Sequence, residues 1–278
     1  MIPSILLLSL AAIVSADCPR SFLKNLTETY VRAQAVGDYD TFLSIINPTS
    51  GYRENGFLVS IPDSMPAIPV HIDFTRSVHD TVQCATFTEI IAATDPHPYV
   101  IHTRMEFSPG DPQARLIESV ITDKGDWYFN AKGTLALNAR ESWEAIPKEK
   151  QESREVIRGV ADSYFDRFGN ASVVVPWGAP CYRVEGGFAV NGNLTASGDC
   201  IQEFPDSIYF PYRRYVIDQE YGAVDVFVGF PGLDSTEADK PMPDSHLFRV
   251  EGAKIKYVHT NSACVSDGCG NATMPQPT

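Results

Sequence analysis

Two segments decide the fold: RRYVIDQEYGAVDVFVGF at residues 213–230 and PDSHLFRVEGAKIKYVHTNSAC at residues 243–264. In both segments aliphatic and aromatic residues alternate with polar ones, and a period of two predicts β-strands. The EGAK sequence at residues 251–254 is typical of a tight turn between two strands. This part of the chain therefore predicts two long strands joined by a flexible connector, in a sheet with apolar residues and a few charged ones on a concave face.

The alternation also predicts which side chains lie together, because residues two apart on a strand share a face. His246 and Phe248 are expected on one face of their strand, and Leu247 and Arg249 on the other. The strand after the turn is expected to place three side chains on one face: Ile255, Tyr257 and His259.

The first sixteen residues, MIPSILLLSLAAIVSA, form an apolar run that ends in the small residues Val14-Ser15-Ala16. This pattern predicts a signal peptide over residues 1–16. The alternative is an anchor helix, but a membrane span needs about 20 apolar residues. We therefore expect a protein secreted to the extracellular space or the secretory lumen, with no membrane attachment after signal removal. The net charge of −13 gives no basic surface for nucleic acid.

Six cysteines fit an oxidising compartment, where an even number favours structural disulfides over a Cys-His nucleophile. Six cysteines allow fifteen pairings, and proximity in the sequence favours three of them. These are Cys18–Cys84, Cys181–Cys200 and Cys264–Cys269. No Cys-x-x-Cys occurs and the histidines are scattered, so no metal site is expected.

Four Asn-x-Ser/Thr sequences predict glycosylated asparagines on the surface. They are Asn25, Asn170, Asn193 and Asn271. Asn47 is excluded because Pro48 follows it.

The rest of the chain predicts an α+β fold. Residues 19–46 have helical periodicity that Gly37-Asp38 interrupts, residues 49–70 are expected to be irregular, and residues 126–143 are expected to form a loop. Three strand-like runs with short turns follow residue 70 and predict an antiparallel meander. Residues 153–168 predict a second amphipathic helix.

The two halves of the chain have a similar outline, in which a helix precedes an irregular stretch and a meander. Leu26 and Tyr30 in the first helix match Val160 and Tyr164 in the second, at an offset of 134. We therefore expect two α+β halves, residues 17–147 and residues 148–278.

The order of helix and curved meander resembles the NTF2-like or SnoaL-like fold. The second half also resembles a family of secreted fungal proteins with an uncharacterised domain. The motifs that support this resemblance are Val175–Gly178 with Cys181, Arg183 and Glu185–Gly187; Arg213–Asp218; Ser245-His246 with Phe248-Arg249; Tyr257–Thr260; and, in the first half, Val78–Asp80 and Thr122–Trp127.

The resemblance implies one or two cone-shaped α+β barrels with curved antiparallel sheets, braced here by disulfides. SnoaL-like proteins include cyclases, dehydratases and isomerases of polyketides and terpenoids, and also non-catalytic modules. It therefore implies a cofactor-independent enzyme of fungal secondary metabolism that acts on a small apolar metabolite. The alternative is a non-catalytic ligand-binding or effector protein. Cones of this kind often pair through their open sheets, so a homodimer is expected.

Ionisable residues on the C-terminal strands are the candidates for general acid–base catalysis, because histidine titrates near working pH. The catalytic candidates are His246, Asp218 and His259. Six further residues are candidates for substrate binding: Arg183, Glu185, Arg214, Arg249, Trp177 and Tyr257. The structural alternative is that the Arg183–Glu185 and Arg214–Asp218 pairs are buried ion pairs that fix the sheet.

Several reaction classes are disfavoured by missing motifs. The sequence has no Gly-x-Ser-x-Gly, no phosphate-binding loop, no Gly-x-Gly-x-x-Gly and no His-Glu-x-x-His. Hydrolysis by a serine triad, nucleotide binding and zinc proteolysis are therefore not expected.

Overall fold

A computed structural model describes residues 18–193, 200, 204–231, 240–266 and 269, with only the backbone of residues 190–193. The predicted signal peptide lies outside these residues. The helices and strands in chain order are α1 Arg20–Val36, α2 Tyr39–Ser44, β1 Tyr52–Glu54, β2 Phe57–Val59, β3 Phe74–Asp80, β4 Ala85–Ala92, β5 Tyr99–Glu106, β6 Leu116–Thr122, α3 Ala131–Asn138, α4 Arg154–Arg167, β7 Trp177–Glu185, β8 Phe188–Asn193, β9 Arg214–Asp218, β10 Ala223–Phe230, β11 Met242–Glu251 and β12 Lys254–Ser262.

The strands form two curved six-stranded sheets with the same internal order. The first runs β2-β1-β6-β5-β4-β3 and the second β8-β7-β12-β11-β10-β9. In each sheet one neighbouring pair is parallel, β1 with β6 and β7 with β12, and the other pairs are antiparallel. The predicted α+β class with curved, largely antiparallel sheets is confirmed. The shared strand order is expected if the two halves repeat one fold. The boundary between the halves at residue 147 stays a prediction.

Helix α4 lies against the inner face of the second sheet. Ser153 caps it by accepting a hydrogen bond from the Val156 backbone N–H, and Glu155 and Arg167 match the helix dipole at the two ends. Its buried stripe contacts the aliphatic residues of β9–β12 and forms one core with them. The stripe consists of Ile157, Val160, Ala161, Tyr164 and Phe165.

Helix α1 covers the inner face of the first sheet in the same way. Its buried Leu23, Leu26 and Tyr30 pack with Ile101 and Met105 of β5. Gly37 ends the helix at φ +67°, a left-handed conformation in which a Cβ would also lie 2.8 Å from the Pro69 nitrogen. Each half is therefore a cone whose interior is filled by helix and sheet side chains.

The outer faces of the two sheets pack against each other within the chain. Nine buried apolar residues form this interface: Val78, Ala85, Phe87, Val120, Val216, Ala223, Phe227, Leu247 and Ala263. Hydrogen bonds cross it as well, from Thr122 Oγ1 to Asn261 Oδ1 at 2.7 Å and between His102 Nδ1 and Ser245 Oγ at 2.9 Å. These are the faces through which a homodimer was expected. A homodimer through them would require the two halves to separate.

Two bidentate ion pairs join the halves reciprocally. Arg20, at the start of α1, donates to both oxygens of Asp218 at 2.6 and 2.7 Å. Arg154, at the start of α4, donates to both oxygens of Asp80 at 2.5 and 2.7 Å. Asp218 also accepts from the His79 N–H, and Asp80 from the Ile217 N–H. Each half therefore contributes one arginine and one buried aspartate to the same type of contact.

Three disulfides link the cysteines that proximity in the sequence favoured. Cys18 pairs with Cys84 across 66 residues of sequence, Cys181 with Cys200 and Cys264 with Cys269. The first bond ties the start of α1 to the loop before β4, and closing so long a loop restricts the unfolded chain most.

Three segments differ from the sequence prediction. Residues 213–230 were expected to form one long strand, but they form β9 and β10 with a turn at residues 219–222. Residues 49–70 were expected to be irregular, but they contain the hairpin β1–β2, whose turn Asn55-Gly56 has φ +47° and +83°. An Asn-Gly pair is the preferred turn for a two-residue hairpin, because both residues tolerate positive φ. The expected loop at residues 126–143 contains α3, which Asn130 caps by accepting from the Gly133 N–H.

Two of the four asparagines predicted to be glycosylated lie on the surface. Asn25 and Asn170 are exposed, whereas the Asn193 side chain and Asn271 lie outside the described residues. No helix in the described part of the chain is long and apolar enough to cross a membrane.

Candidate functional site

Five polar residues meet on the inner face of the second sheet, and we call them the cone cluster. They are Arg183 and Glu185 on β7, Asp244 and His246 on β11, and Ser262 on β12. The register places them together, because Asp244 pairs with Ser262, and Thr260 pairs with both His246 and Glu185. Alternation along each strand then points all five side chains into the cone.

Several atoms of the cone cluster are buried without a hydrogen-bond partner among the described residues. They are Arg183 Nε, Asp244 Oδ2 and His246 Nδ1. Asp244 Oδ2 lies 3.3 Å from His246 Nδ1 without forming a hydrogen bond, while Asp244 Oδ1 accepts from Ser262 Oγ at 2.9 Å. Buried polar atoms are nearly always paired in folded proteins, so three orphans in one place make the cone cluster a candidate site.

The pKa values of the neighbouring residues Asp244 and His246 are displaced in opposite directions. Burial raises the pKa of Asp244 to about 8, although the hydrogen bond from Ser262 and the charge of Arg183 act against this. Burial, together with the positive charge of Arg183, lowers the pKa of His246 well below its usual value. At neutral pH the aspartate therefore holds a proton and the imidazole is neutral. Such a pair provides an acid and a proton acceptor side by side.

Aromatic rings surround the imidazole of His246. The ring centroids of Tyr164, Phe165 and Phe248 lie 5.4, 5.0 and 6.1 Å from that of His246. Trp127, from the segment after β6, donates its Nε1–H to Glu185 at 2.8 Å. The described side chains therefore enclose the cluster and keep it from bulk water.

The sequence analysis named both His246 and His259 as catalytic candidates, but a β-bulge in β12 places them on opposite faces of the sheet. Val250 pairs with Ile255, whereas Arg249 pairs with Tyr257, so Lys256 is an extra residue on β12. In a regular hairpin His246 would pair with His259, and the two side chains would share a face of the sheet. The extra residue reverses the faces along the rest of β12, so His259 lies on the opposite side. Ile255 consequently lies in the cone core and Tyr257 on the opposite face, and the expectation that Ile255, Tyr257 and His259 share one face was wrong.

His259 lies instead between the sheets, in what we call the interface cluster: Arg76, Glu89, Glu141 and His259. Its Nδ1 is 3.0 Å from Glu89 Oε1, and its Nε2 is 2.7 Å from Glu141 Oε1. Arg76 donates to Glu89 Oε2 at 2.7 Å. The side chains of Glu89 and Glu141 are fully buried and that of His259 is 2 % exposed, so this cluster binds the halves and the connecting segment together.

Asp218 lies at the junction of the halves rather than in the cone, as the partner of Arg20. Its surroundings repeat those of Asp80, the partner of Arg154, down to the backbone N–H donors. The same contact made twice in one chain indicates a structural role for Asp218.

The substrate-binding candidates are divided among several places. Arg183 and Glu185 belong to the cone cluster, where the Arg183 guanidinium is paired with the Glu185 carboxylate, and Trp177 packs against Tyr164 in the same cone. Arg249 and Tyr257 face the opposite side, and Arg214 lines a groove between the halves. The predicted residues therefore do not form one pocket, and only His246, Arg183, Glu185 and Trp177 share the cone.

The sequence analysis missed Asp244 and Ser262. Asp244 is two residues before His246, so the period of two that placed His246 and Phe248 on one face also places Asp244 there. Ser262 could not be predicted from the alternation, because its pairing with Asp244 depends on the bulge in β12. Among the described residues, no group of three or more His, Cys, Asp or Glu side chains is arranged to hold a metal ion.

The pKa shifts of the interface cluster predict how stability depends on pH. Burial would lower the pKa of His259, but Glu141 and Glu89 outweigh it and raise the pKa to about 9. An unfolded histidine titrates near about 6.5, so the stabilisation is complete below that pH and is lost as pH rises through about 9. Urea unfolding from pH 6 to 10 should show this decline. The decline should be smaller in His259→Gln, and an equal slope in both proteins would contradict the assignment.

Comparison with known proteins gives a family match for the second half. Residues 150–262 match the family described as Domain of unknown function (DUF8021), which covers less than half of the chain. No curated protein matches.

Two solved structures share only low similarity with the chain. One is PrhC from Penicillium brasilianum, at 9 % identity and a TM-score of 0.27, covering 37 % of this chain and 82 % of PrhC. The other is an NTF-2 like protein of unknown function from Burkholderia xenovorans, at 15 % identity and a TM-score of 0.31, covering 44 % of this chain and 96 % of that protein.

Proposed function

We propose that the protein is a secreted, cofactor-independent enzyme that moves protons on a small apolar metabolite, with Asp244 and His246 as acid and base. The single observation that supports this most is that the buried Asp244 Oδ2 and His246 Nδ1 lie 3.3 Å apart inside an apolar cone, without hydrogen-bond partners among the described residues. The opposite directions of their pKa shifts agree with it. The reaction classes that need only such a pair are isomerisation beside a carbonyl and loss of water. The three disulfides fit the secretory compartment.

In this proposal, protonated Asp244 donates its proton to a carbonyl or hydroxyl oxygen of the substrate. His246 accepts a proton from a neighbouring carbon, and Arg183 stabilises negative charge that develops on the oxygen. The reaction leaves a proton on the imidazole and a negative charge on the carboxylate. The 3.3 Å between Nδ1 and Oδ2 lets that proton return to Asp244 and reset the pair.

Substrate binding requires the aromatic wall to move, because Tyr164, Phe165 and Phe248 pack on the imidazole. The same wall excludes water once a substrate is bound, which strengthens electrostatic interactions in the cone. The site therefore favours apolar substrates with one polar group.

The test is to incubate the purified protein in D₂O with a panel of apolar ketones, enones and tertiary alcohols, and to follow products by mass spectrometry. Proton abstraction beside a carbonyl incorporates deuterium even where no net conversion occurs. Turnover or exchange should fall as pH rises above about 8, because Asp244 then loses its proton. Binding of panel compounds without exchange or conversion would contradict the enzyme and support the alternative, a non-catalytic ligand-binding protein.

A further inference from the structure

A groove outside the cones separates the two halves on one side of the molecule. Its volume is about 470 Å³, and its wall combines residues of β6 and the β1–β2 turn with residues of β9, β10 and the segment before β9. Small-molecule sites commonly measure about 300–1,000 Å³. Pro211, Pro241 and Pro243 contribute apolar surface, and Tyr209 and Tyr212 stand at the rim.

The rim tyrosines are unusually exposed for aromatic residues, at 69 % for Tyr209 and 80 % for Tyr212. Two large rings beside an apolar groove provide flat surface that a bound apolar molecule would cover. Their exposure indicates that the groove accepts a ligand from solvent, in contrast to the enclosed cones.

The charged side chains at the groove favour an anionic ligand. Arg214 donates through Nε to Glu118 Oε1 at 2.8 Å, and its two terminal nitrogens form no hydrogen bond with any described residue. Glu118 also binds Arg104, which binds Glu106, which in turn binds Arg115. This series of connected ion pairs contains three guanidinium groups and two carboxylates, so it has one positive charge in excess.

Among these connected arginines, Arg214 lines the groove, and its side chain is 38 % exposed. Glu118 lines it too, but its carboxylate accepts from two arginines. Asp225, behind the wall, has its pKa raised by burial, which favours its uncharged form. The free fork of Arg214 matches a carboxylate, which guanidinium binds through two parallel hydrogen bonds.

We propose that this groove is a binding site for a small apolar carboxylate, with the acid on Arg214 and the apolar body against the groove prolines and the rim tyrosines. The site is independent of Asp244 and His246. It gives the protein a second place for a metabolite, one that binds without proton transfer.

The test compares 2-naphthoate with the uncharged 2-naphthalenemethanol, by calorimetric titration of the full chain. The naphthoate should bind at least about ten-fold more tightly, because a hydrogen-bonded charge pair is available to it alone. Arg214→Gln should remove this difference, and Tyr212→Ala should weaken both probes. Arg158→Gln is the matched control, since Arg158 is an exposed arginine paired with Asp162 outside the groove, and it should leave both affinities unchanged.

The Asp244→Asn variant should bind naphthoate with the affinity of the wild-type protein. This result would show that binding in the groove does not depend on the proposed catalytic residues in the cone. Equal affinity for the two probes, undiminished naphthoate affinity in Arg214→Gln, or no binding of either probe would overturn the proposal.

Discussion

Asp244→Asn is expected to lower turnover by about 10²- to 10⁴-fold, the usual contribution of a general acid or base. Asparagine has nearly the same shape but holds no transferable proton. The same change should stabilise the fold at pH 8 by up to about 5 kcal/mol, because burial raises the pKa of Asp244 to about 8 and an unfolded aspartate titrates near about 3.9. Steady-state rates and urea unfolding on the same preparation measure both effects.

Asp225→Asn is the matched control for this change. Asp225 is also fully buried with a raised pKa, but it lies on β10 and faces the first sheet rather than the cone. It should leave turnover near the wild-type value. Loss of activity in both variants, or loss of stability in Asp244→Asn, would indicate that Asp244 supports the fold and not the reaction.

His259→Leu is expected to destabilise the protein by about 3–5 kcal/mol, the typical cost of removing one partner of a buried ion pair. The change leaves the buried carboxylates of Glu89 and Glu141 with Arg76 as the nearby cation. The loss should shrink at pH 5, where a carboxylate freed from its partner can take up a proton. Urea unfolding at pH 7 and pH 5 measures both values.

His97→Leu is the control, because His97 forms a similar pair with Asp123 at 2.8 Å on the surface, with a side chain 58 % exposed. Exposed pairs contribute about 0–1 kcal/mol. If His259→Leu cost no more than this control, the interface cluster would not hold the halves together.

Much of the fold follows from local patterns in the sequence. The stripe on α4 is long and regular, so the helix was predicted within a few residues. The alternation at residues 213–230 was interpreted as one strand, because it gave no sign of the turn between β9 and β10. The hairpin β1–β2 was missed although Asn55-Gly56 is a strong turn signal, because its strands have only three residues each. Helix α3 was missed because it is short, contains Gly133 and has no marked apolar stripe.

The site could be predicted only in part, for a different reason. Alternation divides a strand into two faces, but it does not say which face meets the helix and which meets the other half. A single extra residue, Lys256, also moved His259 to the far side of the sheet. Asp218 appeared catalytic because its partner, Arg20, is almost two hundred residues away in the sequence. Contacts of that range depend on how the halves pack.

The central claim is that Asp244 holds a proton at neutral pH inside the cone, and titration of its carboxyl carbon by NMR tests this most directly. In protein labelled with ¹³C-aspartate, one carboxyl resonance should shift with a midpoint near pH 8 and should be absent from the spectrum of Asp244→Asn. A midpoint near about 4, the value of an ordinary aspartate, would contradict the account, because the proposed acid would then have no proton to give.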